Sequence, residues 1–286
     1  MFNQTVPNWL VGVWKRLSIE ENGHRDTTTQ VTWIQTKSGF ADIRIPTSQF
    51  VFRPIVRYSP SKTSQLIDLS LDNAFASLSP QQAKALSQQE GFAGITQFNN
   101  GLCEWQRALD YSPFTGEPDQ GTLHWEGDVL VEVGTNGAYK EEWQKIASGP
   151  TATMTSTKKG VWEKWLVICG DYFIYMCDRR QHLPANTTLE NLLGFNADGT
   201  LDLESRQYLS CEVSLGRISA GSKDWEIQQS TLPWKKGDRL WNPEEVLLNF
   251  NNNRAIQTIG NSQVLWDIQE YGNLKQLFQP STVPCA

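Results

Sequence analysis

The sequence lacks the short motifs that mark the common enzyme and metal-site classes. It contains no HExxH, CxxC, GxGxxG, P-loop or GxSxG pattern and has three histidines. These absences argue against a zinc enzyme, a dinucleotide or nucleoside triphosphate site and a serine hydrolase. We therefore expect no metal and no cofactor.

Basic runs and long apolar runs are also missing. A net charge of −6 without a Lys/Arg cluster argues against nucleic acid. No apolar stretch approaches the roughly 18 residues of a membrane span. The opening "MFNQTVPNWLVGVW" lacks the pattern of a signal peptide. The five cysteines are scattered, so we expect reduced thiols in a cytoplasmic protein.

What the chain does contain is a long series of alternating, β-branched and aromatic runs separated by turn residues, with twelve tryptophans in 286 residues. This pattern predicts an all-β protein built from antiparallel strands. One segment, residues 79–91, predicts a helix of about three turns, with Ser79 as N-cap, Gln82 completing a capping box and Gly91 after the end.

Composition changes near residue 147, where "ASGPTATMTSTKKG" predicts a linker or long hairpin. "GVWKRLSI" at Gly12 and "GVWEKWLV" at Gly160 form a faint internal repeat on either side of it. We therefore expect two tandem β-barrels, residues 1–148 and 149–286, that pack on each other, with the helix attached to the first.

The "GVW" at Gly12 resembles the Gly-x-Trp that begins lipocalin and calycin barrels, where the Trp closes one barrel end. The wider layout resembles the fungal Hri1 family of tandem lipocalin-like barrels. That likeness is carried by "LHWEGDVLVEVGTNGAYKEEWQKI" in the first half and by "LVICGDYFIYMCDRR" and "CEVSLGRI" in the second. The resemblance implies an architecture and brings no activity with it.

Residues 31–46, "VTWIQTKSGFADIRIP", predict a hairpin with two possible registers. A three-residue loop with a left-handed Gly39 pairs Trp33 with Ile43 and places Asp42 and Arg44 on the opposite face. A two-residue loop, Ser38–Gly39, places Trp33, Gln35, Asp42 and Arg44 on one face. Turn chemistry favours the first register, and either face can line a barrel lumen.

The other strands pose the same choice between lumen and surface. If Trp14 closes the barrel, then Arg16 and Glu20 point into the same cavity; if Val13 faces the core, they are surface groups. A lumen with tryptophans, arginines and carboxylates would stack a planar ligand, bind its anionic group and transfer protons. The candidate catalytic residues are Glu20, Asp42 and Glu104. The candidate ligand-binding residues are Trp14, Arg16, Trp33, Arg44, Arg107 and His124.

These patterns favour a cofactor-independent cyclase, isomerase or lyase of specialised metabolism. Its expected substrate is a small aromatic or hydrophobic molecule, which can carry a negative charge. The alternatives are a non-catalytic binding or carrier protein, and a structural module whose lumens are filled by its own side chains. We expect neither nucleic-acid nor membrane partners. The sequence leaves open whether the protein forms a homodimer. The content of the cavity distinguishes these functions: an open, charged cavity favours the enzyme, an open, apolar one the binding protein, and a filled one the structural module.

Overall fold

The computed structural model describes residues 6–47, 72–179, 181–220, 224–272 and 274–278. Two antiparallel sheets account for most of the described chain. The strands of the first sheet are β1 (Gly12–Glu21), β2 (His24–Asp26), β3 (Gln30–Gln35), β4 (Phe40–Ile45), β5 (Glu90–Asn99), β6 (Leu102–Asp110), β7 (Gln120–Glu126), β8 (Val129–Gly134) and β9 (Tyr139–Ala147).

The first sheet closes on itself. Its order runs β2-β1-β3-β4-β5-β6-β7-β8-β9, and β9 pairs back with β1. Because β2 and β3 pair with successive parts of β1, the ring has eight strand positions. The predicted antiparallel barrel is confirmed for the first half of the chain.

The second sheet also has eight strands, in the order β14-β13-β12-β11-β10-β17-β16-β15. Its strands are β10 (Thr151–Lys158), β11 (Val161–Cys169), β12 (Tyr172–Cys177), β13 (Glu212–Ile218), β14 (Trp225–Ser230), β15 (Val246–Asn249), β16 (Arg254–Ile259) and β17 (Ser262–Glu270). In the described part of the chain no ladder joins β14 to β15. A second closed barrel is therefore not shown, and the tandem arrangement stays a prediction.

Three short helices accompany the sheets: α1 (Pro80–Ser87), α2 (Leu203–Tyr208) and α3 (Leu274–Phe278); residues 72–76 are helical as well. The capping box between Ser79 and Gln82 is present as predicted. The helix is shorter than expected because Gly91 belongs to β5. The buried face of α1 packs in a cluster with Leu201, Leu209 and Leu232, so this helix contacts the second half of the chain.

The predicted linker is mostly a strand. Only residues 148–150 separate β9 from β10, and residues 151–156 of β10 are all buried. The small β-branched threonines fit a strand that neighbouring elements cover on both faces. Reading Ser and Thr as solvated linker residues was wrong for this segment.

Besides the cluster around α1, three buried clusters form the core of the described residues. One fills the first barrel and includes Trp14, Trp33 and Trp143. A second covers one face of the second sheet. The third lies between the sheets, where Ile34, Ala41 and Ile43 of the barrel wall pack with residues of β11, β12 and β13.

The tip of the β3–β4 hairpin is bound by the second sheet. The carboxylate of Glu270 accepts hydrogen bonds from the backbone N–H groups of Lys37 and Ser38, at 3.0 and 3.1 Å. Thr36 Oγ1 and Thr153 Oγ1 are 2.7 Å apart. Apolar packing and these polar contacts together hold the barrel against the second sheet, as expected.

Cys103, Cys169, Cys177 and Cys211 are free thiols, and Cys285 lies outside the described residues. Within the same residues, no helix has both the length and the hydrophobicity needed to cross a bilayer.

Candidate functional site

The β3–β4 hairpin adopts a two-residue loop, Lys37–Ser38, closed by the Thr36 N–H donating to the Gly39 carbonyl at 2.9 Å. Trp33 therefore pairs with Asp42. Neither predicted loop forms: the favoured three-residue register was wrong, the alternative Ser38–Gly39 loop is displaced by one residue, and Gly39 has no positive φ. The shared face of Trp33, Asp42 and Arg44 is the one that the alternative predicted. The Thr36 hydroxyl accepts from the Gly39 N–H at 3.0 Å, which stabilises a turn that needs no left-handed residue.

This register directs Asp42 and Arg44 into the barrel beside Trp33. Asp42 is only 2% exposed, and its Oδ1 accepts from Arg44 Nε at 2.9 Å. The two charges that alternate with Ile43 and Ile45 are therefore a buried polar pair in the lumen.

The first strand also points its Trp14 face inward. Trp14 is fully buried, and its Nε1 donates to the Leu10 carbonyl at 2.8 Å. Arg16 follows on the same face and is buried. Glu20, near the end of the strand, is exposed and lies outside the lumen.

Two further candidates lie outside the barrel. Glu104 alternates with the inward-facing Trp105 and accepts from the side-chain amides of Gln106 and Gln120. His124 is exposed and contacts Glu126. Both side chains lie on the outer, solvent-facing side of their strands.

Arg107 lies at the mouth of the barrel. Its guanidinium pairs with Asp110 at 2.9 Å and Asp119 at 2.7 Å. The same guanidinium lies 3.6 Å from the centre of the Phe92 ring, and that of Arg44 lies 5.1 Å from it. Two arginines therefore cover the Phe92 side of the lumen.

Two buried carboxylates that the sequence analysis did not select complete the site. Glu132 of β8 and Glu141 of β9 are directly paired across the ladder. Their exposures are 4% and 1%. Two carboxylates in register oppose each other's ionisation, particularly in a low-dielectric interior.

The two members of this pair have different partners. Glu141 Oε1 accepts from Arg16 Nη1 at 2.5 Å and from Arg44 Nη1 at 3.3 Å. Glu132 accepts from the Tyr139 hydroxyl at 2.8 Å and from Trp143 Nε1 at 3.1 Å. Among the described residues, no cation lies within ion-pair distance of Glu132. Glu141 thus belongs to a chain of ion pairs, whereas Glu132 has neutral donors.

These surroundings separate the protonation of the carboxyl groups. Burial raises the pKa of Asp42 to about 6, against the opposing effect of Arg44. Burial, reinforced by the neighbouring Glu141, raises the pKa of Glu132 well above its usual range. The lumen therefore favours the protonated form of Glu132, whereas Asp42 titrates closer to neutral pH than an ordinary aspartate.

Asp42 and Glu132 line the same small cavity, of about 20 Å³, which is enough for one water molecule. Its other lining residues are Trp33, Phe40, Arg44, Phe92, Trp105, Asp119 and Trp143. Trp33 Nε1 is buried and has no hydrogen-bond partner among the described residues. The lumen is therefore polar and nearly filled, with one indole donor left to be satisfied.

The missed residues have a signal in the sequence. Glu141 precedes Trp143 by two residues, so a buried Trp143 places Glu141 on the inward face. Glu132 is likewise in phase with the buried Leu130. Selecting the tryptophans first and then the charges in phase with them would have found Glu141, and Glu132 is its partner across the ladder.

No family model matches the sequence, and no curated protein matches it. The chain is similar to the solved structure of an uncharacterized protein from Saccharomyces cerevisiae, with 12% sequence identity and a TM-score of 0.49 over 91% of this chain and 98% of that one. A likeness at this level does not establish a family, so the resemblance to lipocalins and to the Hri1 family stays a prediction.

Proposed function

We propose that the lumen of the first barrel is a cofactor-independent acid–base site that catalyses proton transfer next to a carbonyl group of a small aromatic or hydrophobic molecule. Isomerase, cyclase and lyase reactions share this step. The observation that supports the proposal is that two buried carboxyl groups in different environments, Asp42 and Glu132, line one cavity. Such a pair divides the roles of base and acid between its members.

In the proposed step, Asp42 takes a proton from the carbon beside the carbonyl group, and Glu132 donates its proton to the carbonyl oxygen. The product of this half-reaction is an enol, with Asp42 neutral and Glu132 ionised. Reversal at the same or a second carbon returns both protons. Trp33 Nε1, which lacks an acceptor among the described residues, is available to the same oxygen.

The small size of the cavity sets a condition on substrate entry. A molecule larger than water must displace side chains at the mouth. Arg44 and Arg107 are the partly exposed groups there, at 20% and 34% side-chain exposure. We propose that they move when the substrate enters.

The nearly filled lumen also supports a second candidate function, a structural module without catalysis. The two candidates differ in one measurement, the exchange of carbon-bound protons in D₂O followed by NMR on a panel of small aryl ketones. We expect the protein to accelerate exchange for at least one member. No acceleration over buffer across the panel would favour the structural module.

Variants localise the activity. Asp42→Asn and Glu132→Gln should each lower the exchange rate by about 10²–10⁴-fold. Glu20→Gln and Glu104→Gln change carboxylates outside the lumen and should leave the rate unchanged. Parental rates in both lumen variants would refute the assignment.

A further inference from the structure

We infer that the lumen of the first barrel binds molecules carrying a positively charged nitrogen, so that the ligand class is a small aromatic or aliphatic ammonium compound. This inference rests on the proposed function in one respect only: both concern the same cavity. Three features of the lumen support it: the pairing of its arginines, the uncompensated Glu132 and the arrangement of its indole rings.

Among the described residues, each guanidinium near the cavity is already paired with a carboxylate. Arg16 binds Glu141 at 2.5 Å and also lies 3.9 Å from Asp26. Arg44 binds Asp42 and Glu141, and Arg107 binds two aspartates at the mouth. An anionic ligand would have to break a buried ion pair to reach a cation, and that leaves a buried carboxylate uncompensated.

Among the described residues around the cavity, carboxyl groups outnumber guanidinium groups, and Lys145, in phase with Trp143, is held over the Trp14 ring by the Trp9 and Val11 carbonyls. Three buried carboxyl groups, Asp42, Glu132 and Glu141, face the two guanidiniums of Arg16 and Arg44. Glu132 is the group without a cation among the described residues, and it lines the cavity. A proton balances its charge in the free protein, and an ammonium group placed beside it would do the same.

The walls suit a cation as well. Trp33 meets Trp105 with centroids 5.8 Å apart at 76°, and Trp143 with centroids 5.5 Å apart at 69°. All three rings line the cavity, so indole planes at steep angles surround one space, as in aromatic cages for ammonium groups. The protein already places two cations against Phe92 at the mouth. A ligand that displaces those arginines would substitute its own charge for theirs.

The test compares three probes that share one ring: benzylammonium, benzyl alcohol and benzoate. Their binding to the full chain is measured at pH 7 by tryptophan fluorescence and by calorimetry. We expect benzylammonium to bind at least tenfold more tightly than the other two. Equal binding of the three, preference for benzoate, or no binding of benzylammonium would each overturn the inference.

A variant links the selectivity to Glu132. Glu132→Gln should reduce the preference for benzylammonium by tenfold or more, whereas Glu104→Gln on the outer face should keep it. A preference that survives Glu132→Gln would overturn the assignment. Since the probe series on the parent protein needs no variant, the inference can fail even if Glu132→Gln does not fold.

The two proposals fail separately. Proton exchange on ketones without ammonium selectivity would refute this inference and keep the acid–base site. Ammonium selectivity without exchange would keep this inference and refute the catalytic function.

Discussion

Glu132 and Glu141 lie directly opposite each other on adjacent strands inside the first barrel, and both are almost fully buried. Of the two, Glu141 alone contacts arginines among the described residues. The lumen is therefore electrically asymmetric, with ion pairs on one side and an acid bonded to neutral donors on the other. The predictions below test this arrangement and the contact between the two sheets.

The first prediction concerns the pH dependence of stability. The pKa of Asp42 is about 6 in the fold, above its ordinary 3.8, so the folded protein binds this proton more tightly than the unfolded chain. The resulting stabilisation is complete below about pH 4 and is lost as pH rises through about 6. Asp42→Asn is neutral throughout. Between pH 4 and pH 7 the unfolding free energy of Asp42→Asn should therefore rise relative to that of the parent protein, by about 3 kcal/mol at most.

Urea unfolding across this pH range provides the measurement. Asp128→Asn, at an exposed position, is the control and should follow the parent at every pH. If Asp42→Asn also runs parallel to the parent, Asp42 is not the buried titrating group.

The second prediction compares two arginines that pair with neighbouring glutamates on β9. Arg16 is buried against Glu141, and Arg25 is half-exposed against Glu142. Arg16→Met removes one partner of a buried pair and should lower the free energy of unfolding by about 3 kcal/mol. Arg25→Met should cost less than about 1 kcal/mol. Equal losses in urea unfolding at pH 7 would contradict the burial of the Arg16 pair.

The third prediction concerns Glu270, whose carboxylate accepts two backbone N–H groups at the hairpin tip. Glu270→Gln keeps the size of the side chain and removes the charge that strengthens these bonds. We expect a loss of about 1–3 kcal/mol in unfolding free energy. Glu21→Gln, at an exposed position of β1, should change stability little. A neutral Glu270→Gln would show that apolar packing alone orients the hairpin.

The fourth prediction is that residues 1–148 expressed alone form a soluble protein of lower stability. Removing the second sheet exposes the outer barrel face that contains Ile34, Ala41 and Ile43. Burial of such apolar surface contributes about 25 cal/mol per Å². Urea unfolding should give a smaller free energy for the fragment than for the whole chain; an equal value would contradict the packing between the sheets.

The sequence predicted the strands of the first barrel and its closure, because alternation and turn residues are local signals. It left the facing of Asp42 and Arg44 open, since a shift of one residue in the loop reverses both faces of a strand. The outcome depended on Thr36, whose hydroxyl closes a turn without a left-handed residue. Contacts of that kind are not visible in a pattern of apolar and polar residues.

The candidate site was predicted in part for a related reason. Trp14, Arg16, Trp33, Asp42 and Arg44 all face the lumen of the first barrel, and Arg107 lies at its mouth; their roles stay a prediction. Glu20 lies outside although it is in phase with Trp14, because it comes near the end of β1, beyond the register shift between Arg16 and Ser18. Glu104 and His124 lie outside because they alternate with inward-facing residues of their strands. The proposed roles of these three outer residues in catalysis and binding are therefore not retained in our proposal.

The pairing of β1 with β9 also determines when the charged interior can form. Arg16 and Glu141 are 125 residues apart, so their contact requires a long loop to close and β9 to be available. Contacts between such distant residues slow folding, because chain entropy is lost before they form. The Arg44–Asp42 pair is local to β4, whereas both ion pairs with Glu141 form only in the step that brings β9 to the strands before it.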